Sequence, residues 1–443
     1  GAAYGQSDEL AGQRINLEFV SANPTGPLHV GHTRWAALGD SLHRVLEAAG
    51  ADVSAENYLN DYGSQMWKFG ESLRASLRDE PVPEGGYHGD YVADVAKQVA
   101  AQRPDVLDLS ADEAVPVFIS IGEELMVELQ RESLERFRVE FDVWFSERTL
   151  HETGAVDEAI ERLREQGHTF AADGALWLRT TDFGDDQDRV LIRSNGEKTY
   201  FAADCAYYLN KRNRLFEPCI YLLGADHHGY VARLRAVAAC AGDDPERTIE
   251  VRIGQLVTLL RDGSEFKLSK RAGNIVTLDD LVDIVGVDAA RYSLIRWAAD
   301  SPISIDVAEI TRRSNENPVF YVQYAHARTC SAKRNATDVG IGLDVFAPDL
   351  LTSPFEAALL TALGDFPRVI ATAAELRAPH RVARYLEDLA GTYHRWYDEC
   401  RIIPKGDDEI TAVNRTRAWL NEATRVVLAN GLGLLGVSAP ERM

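Results

Sequence analysis

The sequence predicts an α/β fold built on a parallel sheet, split by an insertion and followed by an all-α helical bundle. Three observations carry this. Residues 15–34 read as a strand, a tight turn and a helix start: 15–20 is apolar and β-favouring, Asn23-Pro24-Thr25-Gly26-Pro27 can only turn, and Trp35, Leu38, Leu42, Val45 and Leu46 then recur at helical spacing. The alternation of strand and helix returns between 189 and 240, which implies a Rossmann-like parallel sheet covered on both faces, with ligands beyond the C-terminal strand ends. From Pro318 to the end the spacing is almost wholly helical, as in a bundle.

Taken in order, residues 1–13 read as a flexible lead-in and 51–59 as a second strand. A helix follows, with Asp61 expected as its N-cap and Met66, Phe69 and Leu73 on its apolar face. Pro81-Val-Pro-Glu-Gly-Gly86 breaks the pattern and marks a boundary. Residues 87–150 are mostly helical by spacing, 141–145 looks like a strand, and 171–179 reads as a hairpin turning at Asp173-Gly174. This block interrupts the sheet and shows no recognisable chemistry. The parallel fold is expected to resume with a strand at 189–193, a helix at 202–211, a strand at 219–223 and a helix after Gly229. Thr277-Leu-Asp-Asp280 resembles a capping box, Gly286 ends that helix, and another runs from Asp288 to Trp297. Pro354, Pro367, Pro379 and Pro404 are expected to break the bundle into its helices. The division is therefore 14–80 and 186–270 for the two halves of the sheet domain, 81–185 for the insertion, 271–316 for a helical linker and 317–443 for the bundle.

A chain of 443 residues suits about three domains of roughly 150 residues each. No apolar run approaches the ~18–20 residues of a membrane span, and the N-terminus lacks the basic start and apolar stretch of a secretory signal, so a cytoplasmic protein without membrane contact is expected. Five cysteines with no Cys-x-x-Cys pair argue against a disulfide framework and a structural zinc site. The net charge of −22 is unusual for a nucleic-acid partner, which would need local Arg and Lys patches and bind with strong salt sensitivity.

The residues that suggest chemistry begin at the first helix start, where unpaired N–H groups and partial positive charge suit phosphate. His29 and His32 lie three apart there, with Gly31 between them open to a close-lying ligand. A compact basic stretch downstream, Phe266-Lys267-Leu268-Ser269-Lys270-Arg271, is flanked by Gly263 and Gly273. Glu18 interrupts an apolar strand; it either meets a cation in the interior or shares a solvent face with Asn16 on an edge strand. Asp226, His227 and His228 follow a buried strand, as a ligand-facing turn or as a helix cap with solvated histidines. In the bundle, Val382, Tyr385, Leu386, Leu389, Tyr393, Trp396, Tyr397 and Cys400 form an apolar stripe that reads as core. Arg381, Arg384, Arg395 and Arg401 interleave with it, as stacking on unpaired bases would require.

Together the two motifs resemble the ATP motifs of class I aminoacyl-tRNA synthetases, His-x-Gly-His and Lys-Met-Ser-Lys, with Leu268 where Met is usual. The surrounding text is similar to arginyl-tRNA synthetases: Glu18-Phe-Val-Ser-Ala-Asn-Pro24, Tyr200-Phe-Ala-Ala-Asp204, Gly224-Ala-Asp-His-His-Gly229 and Asn317-Pro-Val-Phe-Tyr-Val-Gln-Tyr-Ala-His-Ala-Arg328. The resemblance runs from about residue 14 to the C-terminus and is loose over 80–185. It implies that ATP, with Mg2+, activates arginine to an adenylate, which is transferred to the 3′ end of tRNA(Arg). His29, His32, Lys267 and Lys270 would be catalytic, and Gly31, Ser269 and Gly224 would join His29, His32 and Lys270 around ATP. Glu18, Asn23, Tyr200, Asp204, Asp226 and His228 would hold arginine, whose planar five-donor fork calls for carboxylates. Tyr397, Arg401 and Trp396 would meet tRNA. No resident metal is implied, and a monomer is expected. Family members usually carry a further N-terminal domain, so this chain is expected to be a trimmed form or a paralogue that lost it. A tRNA-independent adenylate-forming or nucleotidyltransferase paralogue and a non-catalytic tRNA-binding protein are the competing readings.

Overall fold

The structure is a computed structural model that describes residues 1–265, 276–406 and 408–443. The first strand, β1 (Arg14–Glu18), is buried along almost its whole length because helices cover both faces of its sheet. After the turn comes α1 (Val30–Ala48), then β2 (Asp52–Leu59), which pairs with β1 in parallel, Glu18 opposite Glu56.

α2 (Ser64–Leu77) does not take Asp61 as its cap. Its N-cap is Gly63 at φ 91°, and Asp61 instead accepts from the Ser146 hydroxyl at 2.5 Å and the Arg148 backbone at 3.0 Å. Met66, Phe69 and Leu73 of α2 pack with Val92 and Val95 of α3 (Asp90–Gln102) and Phe118 of α4 (Ala111–Arg136), in a core separate from that of the sheet.

β3 (Val143–Ser146), expected within the insertion, returns to the main sheet and pairs in parallel with β2 as its edge. After α5 (Glu147–Glu152) and α6 (Ala155–Glu165), the hairpin of β4 (Thr169–Ala172) and β5 (Ala175–Leu178) turns at Asp173-Gly174, both in the left-handed region. β6 (Arg189–Ile192), expected to resume the parallel sheet, is the third antiparallel strand of this hairpin. Strand pairing is non-local, so an apolar run cannot announce which sheet it joins.

α7 (Tyr200–Asn213) leads to β7 (Cys219–Gly224), and α8 (Tyr230–Cys240) and α9 (Pro245–Thr248) lead to β8 (Ile249–Gly254). The main sheet has the order β3-β2-β1-β7-β8, all parallel. The chain leaves β1 in one direction and returns to its other side with β7, so the strand order reverses between them and a crevice opens beyond Glu18 and Gly224.

β9 (Val257–Arg261), β10 (Ser264–Glu265) and β11 (Ile303–Asp306) form a small sheet the sequence did not announce. α10 (Leu278–Val285) carries the expected capping box of Thr277 and Asp280 and ends at Gly286. α11 (Val287–Ile295) and α12 (Val307–Ile310) complete this region.

The bundle is α13 (Pro318–Asp338), α14 (Pro354–Glu375), α15 (His380–Glu399) and α16 (Ala412–Leu434). Pro354 opens α14 at its first turn, and Pro367 lies inside it without breaking it. An interior proline costs about 3 kcal/mol, which burial of Leu363, Phe366 and Ile370 around it offsets. α14 is also long and apolar enough by composition to cross a membrane, a run the sequence reading passed over. The bundle shares one continuous core with α1 and α11. Buried Arg291 of α11 reinforces that joint, donating to the carbonyls of Leu435 and Phe137 at 2.9 Å and pairing with Asp40 of α1.

Candidate active site

The crevice between β1 and β7 holds a cavity of about 640 Å³ lined by residues including Glu18, His29, His32, Asp204, Gly224 and Asp226. Just past β1 the backbone takes positive φ at Val20 (70°) and Ser21 (40°), values non-glycine residues seldom adopt and which cluster at functional sites. That bend lets the Ser21 hydroxyl donate to Glu18 at 3.0 Å while accepting from Tyr58 N at 3.2 Å.

His29 is the N-cap of α1, and its Nδ1 accepts from Gly31 N at 3.1 Å; His32 Nδ1 accepts from His29 N at 3.4 Å. The imidazoles thus fill the places that Ser and Glu take in an ordinary capping box. Gly31 was expected to open its backbone to a ligand. Instead its N–H is occupied by His29, whose ring lies where a Cβ would sit, Cε1 at 2.8 Å, so glycine is needed for the cap. The rings lie 3.8 Å apart. Burial lowers the His29 pKa, and burial together with His29 pushes that of His32 down to about 3. His32 is therefore neutral near pH 7, and with Nδ1 accepting it keeps Nε2–H as a donor.

A second cavity of about 440 Å³ shares Tyr58, Asp204 and Tyr230 with the first, and adds Asn23, Glu147 and Tyr200. Asn23 is exposed at its rim and Tyr200 is 54% exposed. Asp204 lies one turn after Tyr200 on α7, as their spacing predicts, and accepts from the Tyr230 hydroxyl at 2.9 Å. Burial raises its pKa to about 7, and burial followed by Asp204 itself raises that of Glu147 to about 7. Among the described residues Asp204 forms no salt bridge. Among the described residues the salt-bridge partner of Glu147 is His151, at 3.7 Å, whose own pKa burial lowers. Half-buried Asp204 and buried Glu147 thus share a cavity in which Arg233 acts on Asp204 without reaching salt-bridge distance, an arrangement a ligand cation would relieve.

Glu147 is not among the residues that the sequence suggests. It opens α5 directly after β3, at the C-terminal end of a parallel strand, and that position was the available signal. Lys211 was missed as well, although it follows Asp204 by two helical turns on the same face of α7. It supplies the cation that buried Glu18 requires: Lys211 Nζ lies 2.6 Å from Glu18 Oε2. Glu18 is therefore not an open charge on an edge strand.

Other expected residues line the rim or lie away from it. Gly224 is at the cavity wall, where a Cβ would lie 2.6 Å from Asp226 Oδ1. Asp226 pairs with His227 at 3.3 Å, and His227 lines the cavity, whereas His228 is exposed and lines neither cavity. Arg34, buried in α1, donates to the carbonyls of Gln255, Ser301 and Ala298 at 2.8 Å each and ties the rim loops to the helix. Lys267, Ser269 and Lys270 lie outside the described residues.

In the bundle Trp396 is 0% exposed, which corrects the expectation that it meets tRNA: the stripe buries this ring, leaving no face for a base. Tyr397 is half-buried and Arg401 exposed, together on the wall of a cavity of about 330 Å³. Arg328 of α13 lies over Tyr397 at 4.6 Å and contacts His394 at 3.0 Å, adding a guanidinium to that surface.

Comparison with known proteins gives the family. The family "tRNA synthetases class I (R), catalytic domain" matches residues 3–83 and 96–304, and "DALR anticodon binding domain" matches 322–443. The arginine–tRNA ligase of Kineococcus radiotolerans is 59% identical over 444 residues, and that of Clavibacter sepedonicus 58%, each alignment covering 100% of this chain and 80% of the relative. The solved arginyl-tRNA synthetase of Thermus thermophilus shares the fold at TM-score 0.78 and 23% identity, covering 100% of this chain and 85% of that one. By these matches, the chain belongs to the arginine–tRNA ligase family of class I aminoacyl-tRNA synthetases.

Proposed function

We propose how the residues of this chain divide the work of arginine–tRNA ligation, the activity its family membership establishes and for which arginine, ATP and tRNA are substrates. The observation that carries the proposal is the pair Asp204 and Glu147, two carboxylates of raised pKa that, among the described residues, form no salt bridge with a lysine or arginine. A guanidinium there gains charge-assisted, paired hydrogen bonds that an ammonium cannot match in geometry. Tyr200 and Asn23 would close the outer side, and Glu18, held by Lys211, would face the ammonium end of the amino acid. Asp226 is assigned to the amino-acid side of the rim. His228 would join it only through a movement of its turn.

Arginine's carboxylate then attacks the α-phosphorus of ATP and pyrophosphate leaves; a ribose hydroxyl at the tRNA 3′ end next displaces AMP from the adenylate. Such chemistry depends on positioning and on donors aimed at charge that grows on the phosphate oxygens. His29 and His32 would supply Nε2–H donors beside the phosphates, with Gly31 giving room to the His29 ring and Gly224 to the Asp226 carboxylate in the wall around ATP. Lys267, Ser269 and Lys270 would clamp the triphosphate, and Mg2+ would arrive with ATP as part of that substrate.

Tyr397 and Arg401, with Arg328, would stack on and pair with anticodon bases. We assign 14–80 and 186–270 to catalysis, 81–185 to the connective insertion, 271–316 to a stem-contact linker and 317–443 to anticodon binding. We also propose a monomer acting in the cytoplasm. The test is ATP–pyrophosphate exchange with arginine or lysine, with and without tRNA(Arg). Exchange is expected only with arginine, and only when tRNA is present. Equal exchange with lysine would overturn the guanidinium assignment.

A further inference from the structure

We propose that the concavity between α14 and the start of α15 binds the phosphate backbone of tRNA, at a site separate from the Tyr397–Arg401 end of the bundle. This cavity of about 370 Å³ is lined in part by Arg368, Thr372, His380, Arg381, Arg384 and Asp388. It sets three guanidiniums against one lining carboxylate, in a chain whose net charge is −22.

Several other arginines of the bundle are matched: Arg377 with Glu250, Arg415 with Asp344, Arg417 with Glu356 and Arg425 with Glu422. Among the described residues Arg381 and Arg384 form no salt bridge, and both are exposed. They lie three apart near the start of α15, where like charges repel and the helix dipole disfavours cations. Arg368 pairs with Asp365, at 2.9 Å, and stays 75% exposed. Folding stability does not account for such a grouping. Phosphodiester oxygens, which accept paired N–H bonds from guanidinium, do.

The length of the ligand follows from the placement. α15 has 20 residues and spans about 30 Å, with Tyr397 and Arg401 at its far end. Beside its near end runs the stretch after α11, where Trp297 is 42% exposed and Asp300 acts on the charge of His380. An anion that meets both ends of α15 must be long, as an RNA stem is. The inference rests on tRNA as the substrate, and on Tyr397 and Arg401 as its contacts.

The test is filter binding of tRNA(Arg) to the full chain over a range of salt. For R381Q/R384Q, Kd is expected to rise about 10-fold and the salt slope to fall by about 2, one for each guanidinium removed from a phosphate. ATP and arginine KM and the Tm should stay unchanged. The charge-matched control R164Q/R193Q, whose arginines pair with Glu161 and Glu197 away from the bundle, should change Kd less than 2-fold. A Kd and slope for R381Q/R384Q no different from the control would overturn the site. Whether the chain charges tRNA is read separately by aminoacylation, so failure of that reaction is distinguishable from failure of this site.

Discussion

Lys211 Nζ lies 2.6 Å from Glu18 Oε2 with both groups buried, and the ammonium sits over the rings of Tyr207 and Tyr221 at 4.3 and 3.9 Å. Nearby Glu56 is bonded by Tyr207, Arg214 and Asn16, so the floor of the crevice is one charge-balanced network. Removing one partner of a buried pair leaves the other uncompensated, a loss of about 3–5 kcal/mol. Lys211→Met should therefore lower the Tm markedly, while the double variant with Glu18→Gln recovers much of it. A double variant no more stable than Lys211→Met would show that the pair is not the source of the loss.

His29 both caps α1 and faces the crevice, and the two roles are separable. His29→Asn keeps a good capping side chain but loses the imidazole donor; it should hold its Tm while adenylate formation falls by about 10²-fold. His29→Ala should lose turnover similarly and about 1 kcal/mol of stability besides. Normal turnover in His29→Asn, measured by pyrophosphate exchange, would assign His29 to capping alone.

Asp204 and Glu147 predict the pH dependence. Their folded pKa values, both about 7, exceed the ordinary carboxylate range near 4. Their contribution to stability is thus present below about pH 4 and lost as pH rises through 7. Arginine favours the ionised forms, so it should bind more tightly as pH rises from 6 to 8, releasing protons, and raise the Tm more at pH 8 than at pH 6.5. Asp204→Asn should be more stable than the unchanged chain at pH 8 and bind arginine about 2–5 kcal/mol more weakly. Arginine affinity that is flat over this pH range, measured calorimetrically in two buffers, would remove both carboxylates from the site.

The two neighbours on α15 should behave in opposite ways. Trp396→Phe, a core change, should lower stability by about 1–3 kcal/mol and leave tRNA KM unchanged. Arg401→Ala and Tyr397→Ala should raise tRNA KM about 10-fold with little effect on Tm or on arginine KM. Aminoacylation titrated with tRNA decides between them.

The sequence by itself determined what is local. Helical spacing, the run from Asn23 to Pro27, the capping box at Thr277 and the glycine at 286 each act over a few residues, and each reappears as an element boundary in the structure. The family was legible for the same reason, since its motifs are short runs. Tertiary structure decided what depends on distant partners. It returned β3 to the main sheet and joined β6 to the hairpin. It also let α14 run through Pro367. The site divides along the same line. Tyr200 and Asp204 were suggested by the resemblance of the short run Tyr200-Phe-Ala-Ala-Asp204, whereas Glu147 enters the cavity from a segment 57 positions before Asp204, and the Glu18 cation comes from a residue 193 positions away. Periodicity also left Trp396 and Tyr397 on one stripe, and only the packing of α13, α15 and α16 buried one ring and left the other half open. Burial, and with it the charge state of every buried acid, is a property of what surrounds a residue in space, and no short run of sequence contains it.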